Sequence, residues 1–445
     1  MADSIKMIST RGETPACSFY EAMETGLAPD GGLYIPDRIP PLPGQFWDQL
    51  PEMSLSETGR EICLPYFDRD TEKDVISRVV RDSVTFGAPV VQLYENMYLL
   101  ELFHGPTLAF KDFGARFMAR AFASLEPEGD KKELLILVAT SGDTGSAVAN
   151  GFYGVKGTHV HLLYPSGKVS RLQEKQMTTL GGNVTALEVD GTFDDCQRLV
   201  KQAFSDRELG RRIRMSSANS INIARLLPQS FYYIHALGRL QKQFGKAVNP
   251  VFSVPSGNFG NLTAGLIAMR IGMPVSRFLA ATNSNDVVPR FLETGTFTPR
   301  LSETTISNAM DVGNPSNFER ILHLFDGSHE EIRKHIWGAS FNDNQTRACI
   351  KKVYEETGRV LDPHTAVGVL TARKYREESG AGSDSPAVVL ATAHPAKFPD
   401  VVEQETGGKI EIPEQLKSCL EGEKRSITMG NDYNSFRNFL VKEKW

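Results

Sequence analysis

The chain has 445 residues, of which 40% are hydrophobic and 23% charged; this is ordinary globular usage and excludes a disordered or fibrous protein. The net charge of -5 is small, and no stretch interleaves Lys and Arg with aromatics, which argues against a nucleic-acid partner. No apolar run reaches the roughly 18 residues of a membrane-spanning helix, and the N-terminus lacks the apolar core of a secretory signal, so we expect a cytoplasmic protein without membrane contact.

The first ninety or so residues differ in composition from the rest of the chain. Residues 28–44 are dense in Pro and Gly, and a polar helical pattern follows over 71–85. We predict a small N-terminal domain over residues 1–95.

Beyond this segment, short apolar runs alternate with helical patterns. The runs lie at 133–140, 158–165, 183–190, 249–256, 276–282 and 385–393. Strands separated by helices predict parallel sheets with crossover connections, and therefore an α/β protein. The tail after Glu421 is predicted to end in a polar helix.

Two of the predicted strands end in turns rich in small residues that open a helix: TSGDTGSA at 140–147 and PSGNFGN at 255–261. In such turns the backbone N–H groups and the helix dipole face a bound anion. Glycines at 257 and 260 also let a ligand approach the backbone closely. A tight strand-to-helix connection needs the same residues. Each turn taken alone is therefore compatible either with an anion site or with a purely structural connection.

A third polar segment, MSSANSINIARLLPQS at 215–230, also precedes a helical pattern. Arg225 offers a planar fork for a phosphate, and the side chains of Asn219 and Ser220 can supply further donors. A capped helix with a surface arginine is the structural alternative.

Lys111 lies in HGPTLAFKDFGARF at 104–117, with Leu108, Phe110 and Phe113 around it. A lysine that loses its hydration has a lowered pKa, and its neutral amine attacks carbonyl groups to form Schiff bases. The alternative is a lysine whose ammonium reaches water at a helix start. His394, at the end of the run 385–393, lies where ligands of parallel sheets gather, although a hydrogen-bonded structural role is the commoner one.

The cysteines and histidines give no sign of a metal site. The five cysteines stand singly without CxxC spacing, and the nine histidines form no HxH or HExxH pattern. We therefore expect reduced thiols and no bound metal.

Six segments together resemble the threonine synthase family, enzymes of fold type II that depend on pyridoxal 5′-phosphate (PLP). They occur in this order over nearly the whole chain: HGPTLAFKDFG, ATSGDTGSA, SANSINIAR, PSGNFGN, SNAMDVGNPSNFER and ATAHPAKF. STRG and APDGGLYIP near the N-terminus resemble the longer bacterial and fungal form, which has an extra N-terminal domain. The resemblance implies a tryptophan synthase β-like α/β fold, with a large PLP-binding domain over 96–130 and 226–445 and a smaller α/β domain over 131–225.

The resemblance also implies a role for individual residues. Lys111 would hold PLP as a Schiff base, and the hydroxyl of Thr392 would meet the pyridine nitrogen. The cofactor phosphate would be bound by Gly257, Asn258, Phe259, Gly260 and Asn261, the substrate carboxylate by Ser141, Gly142, Asp143 and Thr144, and the substrate phosphate by Asn219, Ser220 and Arg225. Many relatives of this fold type have Asn at position 143, where it contacts the ring hydroxyl of the cofactor, so the acid here leaves that contact open.

The implied reaction converts O-phospho-L-homoserine and water to L-threonine and phosphate, the last step of threonine biosynthesis, in a monomer or homodimer. Two alternatives stay open. A phospho-lyase on the same scaffold would make 2-oxobutyrate from O-phosphohomoserine or O-phosphothreonine. A non-catalytic phosphate-ligand-binding protein would use Lys111 only as a countercharge.

Overall fold

The computed structural model describes residues 5–67, 70–125, 132–379 and 385–443. The N-terminal segment forms a two-stranded antiparallel sheet with four helices packed beside it. Its strands are β1 (Met7–Ser9) and β2 (Tyr34–Pro36), and its helices are α1 (Phe19–Thr25), α2 (Gly44–Gln49), α3 (Leu55–Cys63) and α4 (Asp70–Ser83). The predicted polar helix corresponds to α4.

The middle of the chain alternates strands and helices, as its apolar runs predict. Its elements are β3 (Val90–Tyr94), β4 (Met97–Glu101), α5 (Lys111–Leu125), β5 (Leu134–Ala139), α6 (Asp143–Phe152), β6 (Thr158–Pro165), α7 (Arg171–Thr178), β7 (Val184–Asp190), α8 (Phe193–Ser205), α9 (Arg207–Arg212), β8 (Arg214–Ser217), α10 (Ile223–Leu226) and α11 (Gln229–Phe244).

The last part of the chain continues this alternation. Its elements are β9 (Val251–Pro255), α12 (Gly260–Arg270), β10 (Arg277–Thr282), α13 (Val287–Thr294), α14 (Phe318–Leu324), α15 (His329–His335), β11 (Ile336–Ser340), α16 (Asp343–Thr357), α17 (Pro363–Ser379), β12 (Ala387–Ala391), α18 (Pro399–Thr406), α19 (Glu414–Glu421), β13 (Ile427–Gly430) and α20 (Tyr433–Lys442).

Most of the strands form two sheets whose pairing is parallel except at one edge. The larger has the order β11-β10-β9-β12-β4-β3, in which only β3 runs antiparallel to its neighbour. The smaller has the order β13-β7-β6-β5-β8 and is parallel throughout. The predicted α/β fold with parallel large and small sheets is confirmed.

The main hydrophobic core runs from the N-terminal helices through α5 and α11 to both sheets. Phe113 of α5, for example, packs edge-to-face on Phe86 and on Tyr232 of α11, with ring centroids 4.8 and 5.2 Å apart. Because the strands other than β3 run parallel within each sheet, the loops that follow them lie together at the carboxyl ends of the strands. These loops carry the three polar segments singled out in the sequence.

The predicted domain bounds stay a prediction, and the strand pairing indicates how to refine them. β3, which falls in the predicted N-terminal domain, pairs with β4 in the large sheet. β13, which falls in the predicted large domain, pairs with β7 in the small sheet. We therefore propose that residues from about 88 onward belong to the large domain and that residues 427–443 complete the smaller one.

Within the described parts of the chain, none of the helices is both long and apolar enough to cross a membrane.

Candidate active site

Lys111 is the first residue of α5, and the segment before it is pinned to the end of β12. Phe110 N donates to Thr392 O at 2.9 Å, and His394 N donates to Leu108 O at 3.0 Å. Leu108 has a positive φ of 57°, a conformation that costs free energy for a branched residue and tends to occur at functional sites. This pairing brings Lys111 and Thr392 together from positions far apart in sequence.

Asp112 shapes the turn that precedes the lysine. Its buried carboxylate accepts hydrogen bonds from Thr107 N at 2.8 Å and from Thr107 Oγ1 at 2.7 Å. Gly105 packs so closely on it that a Cβ there would lie 2.4 Å from Asp112 Oδ2. Burial raises the pKa of Asp112 to about 6, against the effect of these hydrogen bonds.

The amine of Lys111 lies in a largely dry, charged surrounding. Its side chain is 16% exposed, and Nζ lies 5.2 Å from the centroid of the Phe110 ring and 3.8 Å from Asp143 Oδ2. Burial lowers the pKa of Lys111; Asp143 opposes this shift, and the positive charges of Lys397 and Arg225 add to it. A lowered pKa increases the fraction of neutral amine, which is the form that reacts with carbonyl groups.

The loop after β5 is built around Thr140 and Asp143. Thr140 Oγ1 accepts from Gly142 N at 2.9 Å and from Gly145 N at 2.8 Å, and Gly142 has a φ of 136° that a residue with a side chain rarely adopts. The Asp143 carboxylate contacts Lys397 Nζ at 2.6 Å and accepts from Gln173 Nε2 at 3.0 Å. Its side chain is thus held by protein groups, while Ser141 and Thr144 stay half-buried at the start of α6.

Burial alone would raise the pKa of Asp143, but Lys397 and Lys111 outweigh that effect and hold the pKa well below its usual range. Asp143 is therefore an anion at neutral pH.

The loop after β9 leads into α12 with a left-handed turn at Phe259, whose φ is 58°. The first N–H groups of α12 have no partner within the helix, so they are open to an anion. Gly257 packs against the loop above it, and a Cβ there would meet Ala309 O at 2.7 Å and Met310 Cα at 2.8 Å. The glycine at 257 was predicted to let a ligand approach the backbone closely, and in the structure the backbone of residues 309–310 is what lies against it.

The side chain of Asn261 is held by hydrogen bonds from two tyrosines of α11. Its Oδ1 accepts from Tyr232 OH at 2.6 Å and from Tyr233 OH at 2.8 Å. Its Nδ2 is buried and finds no hydrogen-bond partner among the described residues. A buried donor without a partner is costly, which indicates that a ligand with an acceptor belongs here.

The loop after β8 is joined to the other two loops. Asn219 Nδ2 donates to Ala139 O at 2.9 Å, at the end of β5. Asn258 Nδ2 donates to Ser220 Oγ at 2.6 Å. The predicted cofactor-phosphate and substrate-phosphate residues therefore lie side by side.

Arg225 is not a surface residue, since its exposure is only 2%. Nη1 donates to Ala218 O, and Nε, which faces Gly114 of α5, has no partner among the described residues. Burial lowers the pKa of Arg225 to about 10, so it is still charged at neutral pH. A buried guanidinium with a donor to spare can pair with a phosphate.

Comparison with known proteins decides the family. Profiles described as "Threonine synthase N terminus", "Pyridoxal-phosphate dependent enzyme" and "Threonine synthase, C-terminal" match residues 6–84, 88–393 and 365–440. The chain is 43% identical to threonine synthase of Haemophilus influenzae, with 96% of this chain and 97% of the relative covered. It is 40% identical to that of Escherichia coli, with 99% and 100% covered. The chain belongs to the threonine synthase family.

Solved structures support the same assignment. A PLP-bound threonine synthase from Brucella melitensis superposes with a TM-score of 0.89 at 36% identity, covering 98% of this chain and 99% of that one. Threonine synthase from Escherichia coli gives 0.89 at 39% identity, covering 99% and 100%. The predicted family, the PLP dependence and the enzyme class are confirmed.

The residues present fit PLP on structural grounds of their own. Lys111 supplies a desolvated amine. Thr392 is buried, and its backbone accepts a hydrogen bond from Phe110, the neighbour of Lys111. The start of α12 supplies free N–H groups, and Asn261 Nδ2 supplies a buried donor without a partner among the described residues. A carbonyl compound that also carries a phosphate matches the chemistry of these groups.

Sequence reasoning missed residues that act through others. Lys397 and Gln173 hold Asp143, and Arg320, fully buried, connects the N-terminal domain to the loop after β8. Lys397 carried one signal, because a lysine beside a strand end in ATAHPAKF is out of place in an apolar surrounding. His394 has the structural role considered for it: Nδ1 accepts from Ala396 N at 3.1 Å, and the ring packs edge-on against Phe103.

Proposed function

We propose that this member of the threonine synthase family converts O-phospho-L-homoserine and water to L-threonine and phosphate, with PLP bound covalently to Lys111. The observation that carries the proposal is the position of the Lys111 amine. It is buried beside Asp143, with its pKa lowered, and the loop of Asp143 is linked by hydrogen bonds to two further loops that suit anions. One of these loops serves the cofactor, and the other two serve the charged ends of the substrate.

The cofactor site in this proposal consists of the Lys111 amine, the loop 257–261 and Thr392. The loop offers backbone N–H groups at the start of α12 to the cofactor phosphate. The hydroxyl of Thr392 is the proposed partner of the ring nitrogen, and a neutral hydroxyl does not force that nitrogen to stay protonated. When bound, PLP supplies an electron sink for carbanions formed on the substrate.

Two separate anion sites position the substrate. The start of α6, with Ser141 and Thr144 half-buried, offers hydroxyl donors and the backbone N–H of Asp143 to the carboxylate, whereas the N–H of Gly142 already donates to Thr140 Oγ1. Because the Asp143 side chain is already engaged by Lys397 and Gln173, only its backbone is free for this task. Asn219, Ser220 and Arg225 are proposed to bind the phosphate, where the charge of Arg225 is stabilised by an anion.

Lys111 is the proposed proton carrier. With the substrate held at the cofactor site, Nζ of Lys111 would take the proton from Cα and, once it has given up that proton, would take one from Cβ. Removal of the Cβ proton lets phosphate leave from Cγ, and a proton is returned to Cγ. Water would then add its hydroxyl at Cβ, and a proton would return to Cα, which gives threonine.

We further propose a cytoplasmic location and a small-molecule substrate. All five cysteines are free thiols, which is typical of a reducing compartment. Monomer or homodimer stays the prediction for the oligomeric state.

Product analysis tests the reaction. Purified protein reconstituted with PLP is incubated with O-phospho-L-homoserine, and amino acids, 2-oxo acids and phosphate are quantified. Threonine and phosphate in equal amounts are expected. Phosphate accompanied by 2-oxobutyrate, with little threonine, would instead establish the phospho-lyase reaction and overturn the proposal.

A further inference from the structure

Lys397 is a fully buried lysine for which the proposed reaction gives no role. It lies in the short turn Pro395–Lys397 that follows β12, and its side chain is 0% exposed. Nζ lies 2.6 Å from Asp143 Oδ1 and donates to Thr107 O at 3.0 Å. A charge buried this completely persists only where it is paired and hydrogen-bonded, and Asp143 is the charged group that pairs with it.

The Asp143 carboxylate is shared between two lysines. Oδ1 is held by Lys397 and by Gln173, whereas Oδ2 faces Lys111 Nζ at 3.8 Å. The shorter contact to Lys397 fixes the position of the carboxylate, and Lys111 meets the oxygen that remains. The three groups come from the turn after β12, from α6 and from α5.

Each neighbouring charge changes the ease with which Lys111 loses its proton. Burial has the largest effect on the pKa of Lys111 and lowers it. Asp143 favours the ammonium and raises this pKa, whereas Lys397 and Arg225 disfavour the ammonium and lower it. Asp112, the next residue, directs its carboxylate to Thr107. Without Lys397, the Asp143 carboxylate would contact Lys111 as its one remaining lysine. Lys111 would then bind its proton more tightly.

We propose that Lys397 is a positioning residue of this enzyme: it fixes the Asp143 carboxylate beside Lys111 and tunes how readily the Lys111 amine gives up its proton. It acts through Asp143 and by its charge, without touching the reacting atoms. The importance of this tuning for catalysis rests on the proposed role of Lys111. The tuning itself is a property of the cofactor-free protein and is measured there.

The experiment measures the protonation of Lys111 in cofactor-free protein. Acetic anhydride acylates neutral amines, so the extent of Lys111 acylation across pH, read by peptide mass spectrometry, gives a titration midpoint. Lys397→Met is expected to raise this midpoint by about one pH unit or more, since a neighbouring like charge is removed. Asp143→Asn is expected to lower it, because the stabilising anion is lost.

The two variants are expected to shift the Lys111 midpoint in opposite directions. General damage to the fold would not do this, so opposite shifts identify an effect of charge. Lys424→Met is the control: Lys424 is likewise ion-paired, with Glu174 and Glu188, each at 2.7 Å, outside the site. It should leave the Lys111 midpoint unchanged. A Lys397→Met midpoint equal to or below that of the parent protein would overturn the proposal.

A second comparison applies if Lys397→Met does not fold. The variant Asp143→Asn/Lys397→Met leaves neither member of the buried pair without its partner, an exchange that folded proteins tolerate far better than loss of one member. Its midpoint should lie above that of Asp143→Asn, and equal midpoints would contradict the proposal. These readouts do not depend on PLP, so they can hold even if the cofactor proved to be bound by a different lysine.

Discussion

Gly257 lies where neighbouring backbone leaves no room for a side chain. The atoms that a Cβ would meet are Ala309 O and Met310 Cα, at 2.7 and 2.8 Å. Both belong to main chain, so a rotamer change cannot relieve the contact, and the loop that carries the proposed phosphate-binding groups would have to move.

We predict that Gly257→Ala weakens PLP binding about tenfold or more, because overpacking costs roughly 1–3 kcal/mol and here displaces the binding loop itself. Absorbance titration of cofactor-free protein with PLP gives the dissociation constant. Gly408→Ala is the control, since a Cβ at Gly408 meets nothing within 4 Å. An unchanged dissociation constant in Gly257→Ala would show that this loop does not hold the cofactor.

The residue scale also shows the limit of sequence reasoning. The motif around Lys111 predicted a desolvated lysine, and its immediate neighbours in sequence, such as Phe110, supply part of that surrounding. The acid at position 143 left the contact to the cofactor's ring hydroxyl open, and its partner Lys397, more than 250 residues away in the chain, was not predicted. A buried ion pair leaves no pattern of spacing that a single sequence reveals.

Arg320 connects three elements that the sequence presents separately. It is fully buried in α14, where Nε and Nη2 donate to Tyr34 O at 2.9 and 2.7 Å. Nη2 also donates to Ile221 O at 2.6 Å, and Nη1 donates to Asn317 Oδ1 at 2.6 Å. Asn317 in turn donates to Ser220 O at 3.2 Å. The N-terminal domain thereby supports the loop proposed to bind the substrate phosphate.

Replacement of Arg320 by Met should lower the free energy of unfolding by about 3 kcal/mol, because several buried acceptors lose their donor. Arg11→Met is the matched control: Arg11 also links the N-terminal domain to α14, through Glu319, but its side chain is 53% exposed. Its loss should cost about 1 kcal/mol or less. Urea unfolding of both variants measures the difference, and equal losses would mean that Arg320 does not connect these elements.

At the scale of elements, periodicity predicted most of what lies in the cores. The six apolar runs correspond to β5, β6, β7, β9, β10 and β12, each of which lies largely buried in its sheet. β13 was missed because Ile427–Gly430 is short, mixed in polarity and mostly exposed, so the tail that was predicted as a helix contains a strand before α20. β8 and β11 were missed because Arg214–Ser217 and Ile336–Ser340 are short and mixed in polarity.

The stability of the whole molecule depends on pH through the buried histidine His161. His161 in β6 is 1% exposed and packs on Phe439 of α20, and burial lowers its pKa to about 3. The unfolded chain takes up this proton near pH 6.5. Between these values the unfolded state binds more protons than the folded state, so stability falls as the pH falls from about 6.5 toward 3.

At pH 5 this difference corresponds to about 2 kcal/mol of lost stability from His161. We therefore predict that His161→Phe loses less stability than the parent protein between pH 7 and pH 5. Urea unfolding at the two pH values provides the comparison. If parent and variant lose the same amount, His161 is not neutral in the folded state.

The two sheets explain why the site lies where it does. The ends of β12 and β9 in the large sheet place Thr392 and the loop 257–261, while the ends of β5 and β8 in the small sheet place the loops that begin at Thr140 and Ala218. Lys111 lies among them at the start of α5. Fold class and site motifs could be predicted from the sequence, whereas this convergence depends on contacts between distant segments.

The central claim is that Lys111 carries the cofactor, and borohydride reduction tests it most directly. Protein saturated with PLP is reduced with sodium borohydride, digested and analysed by peptide mass spectrometry. We predict a phosphopyridoxyl group on Lys111, absent in Lys111→Ala protein that remains folded by circular dichroism. A phosphopyridoxyl group on a different lysine, or on none, would contradict the account.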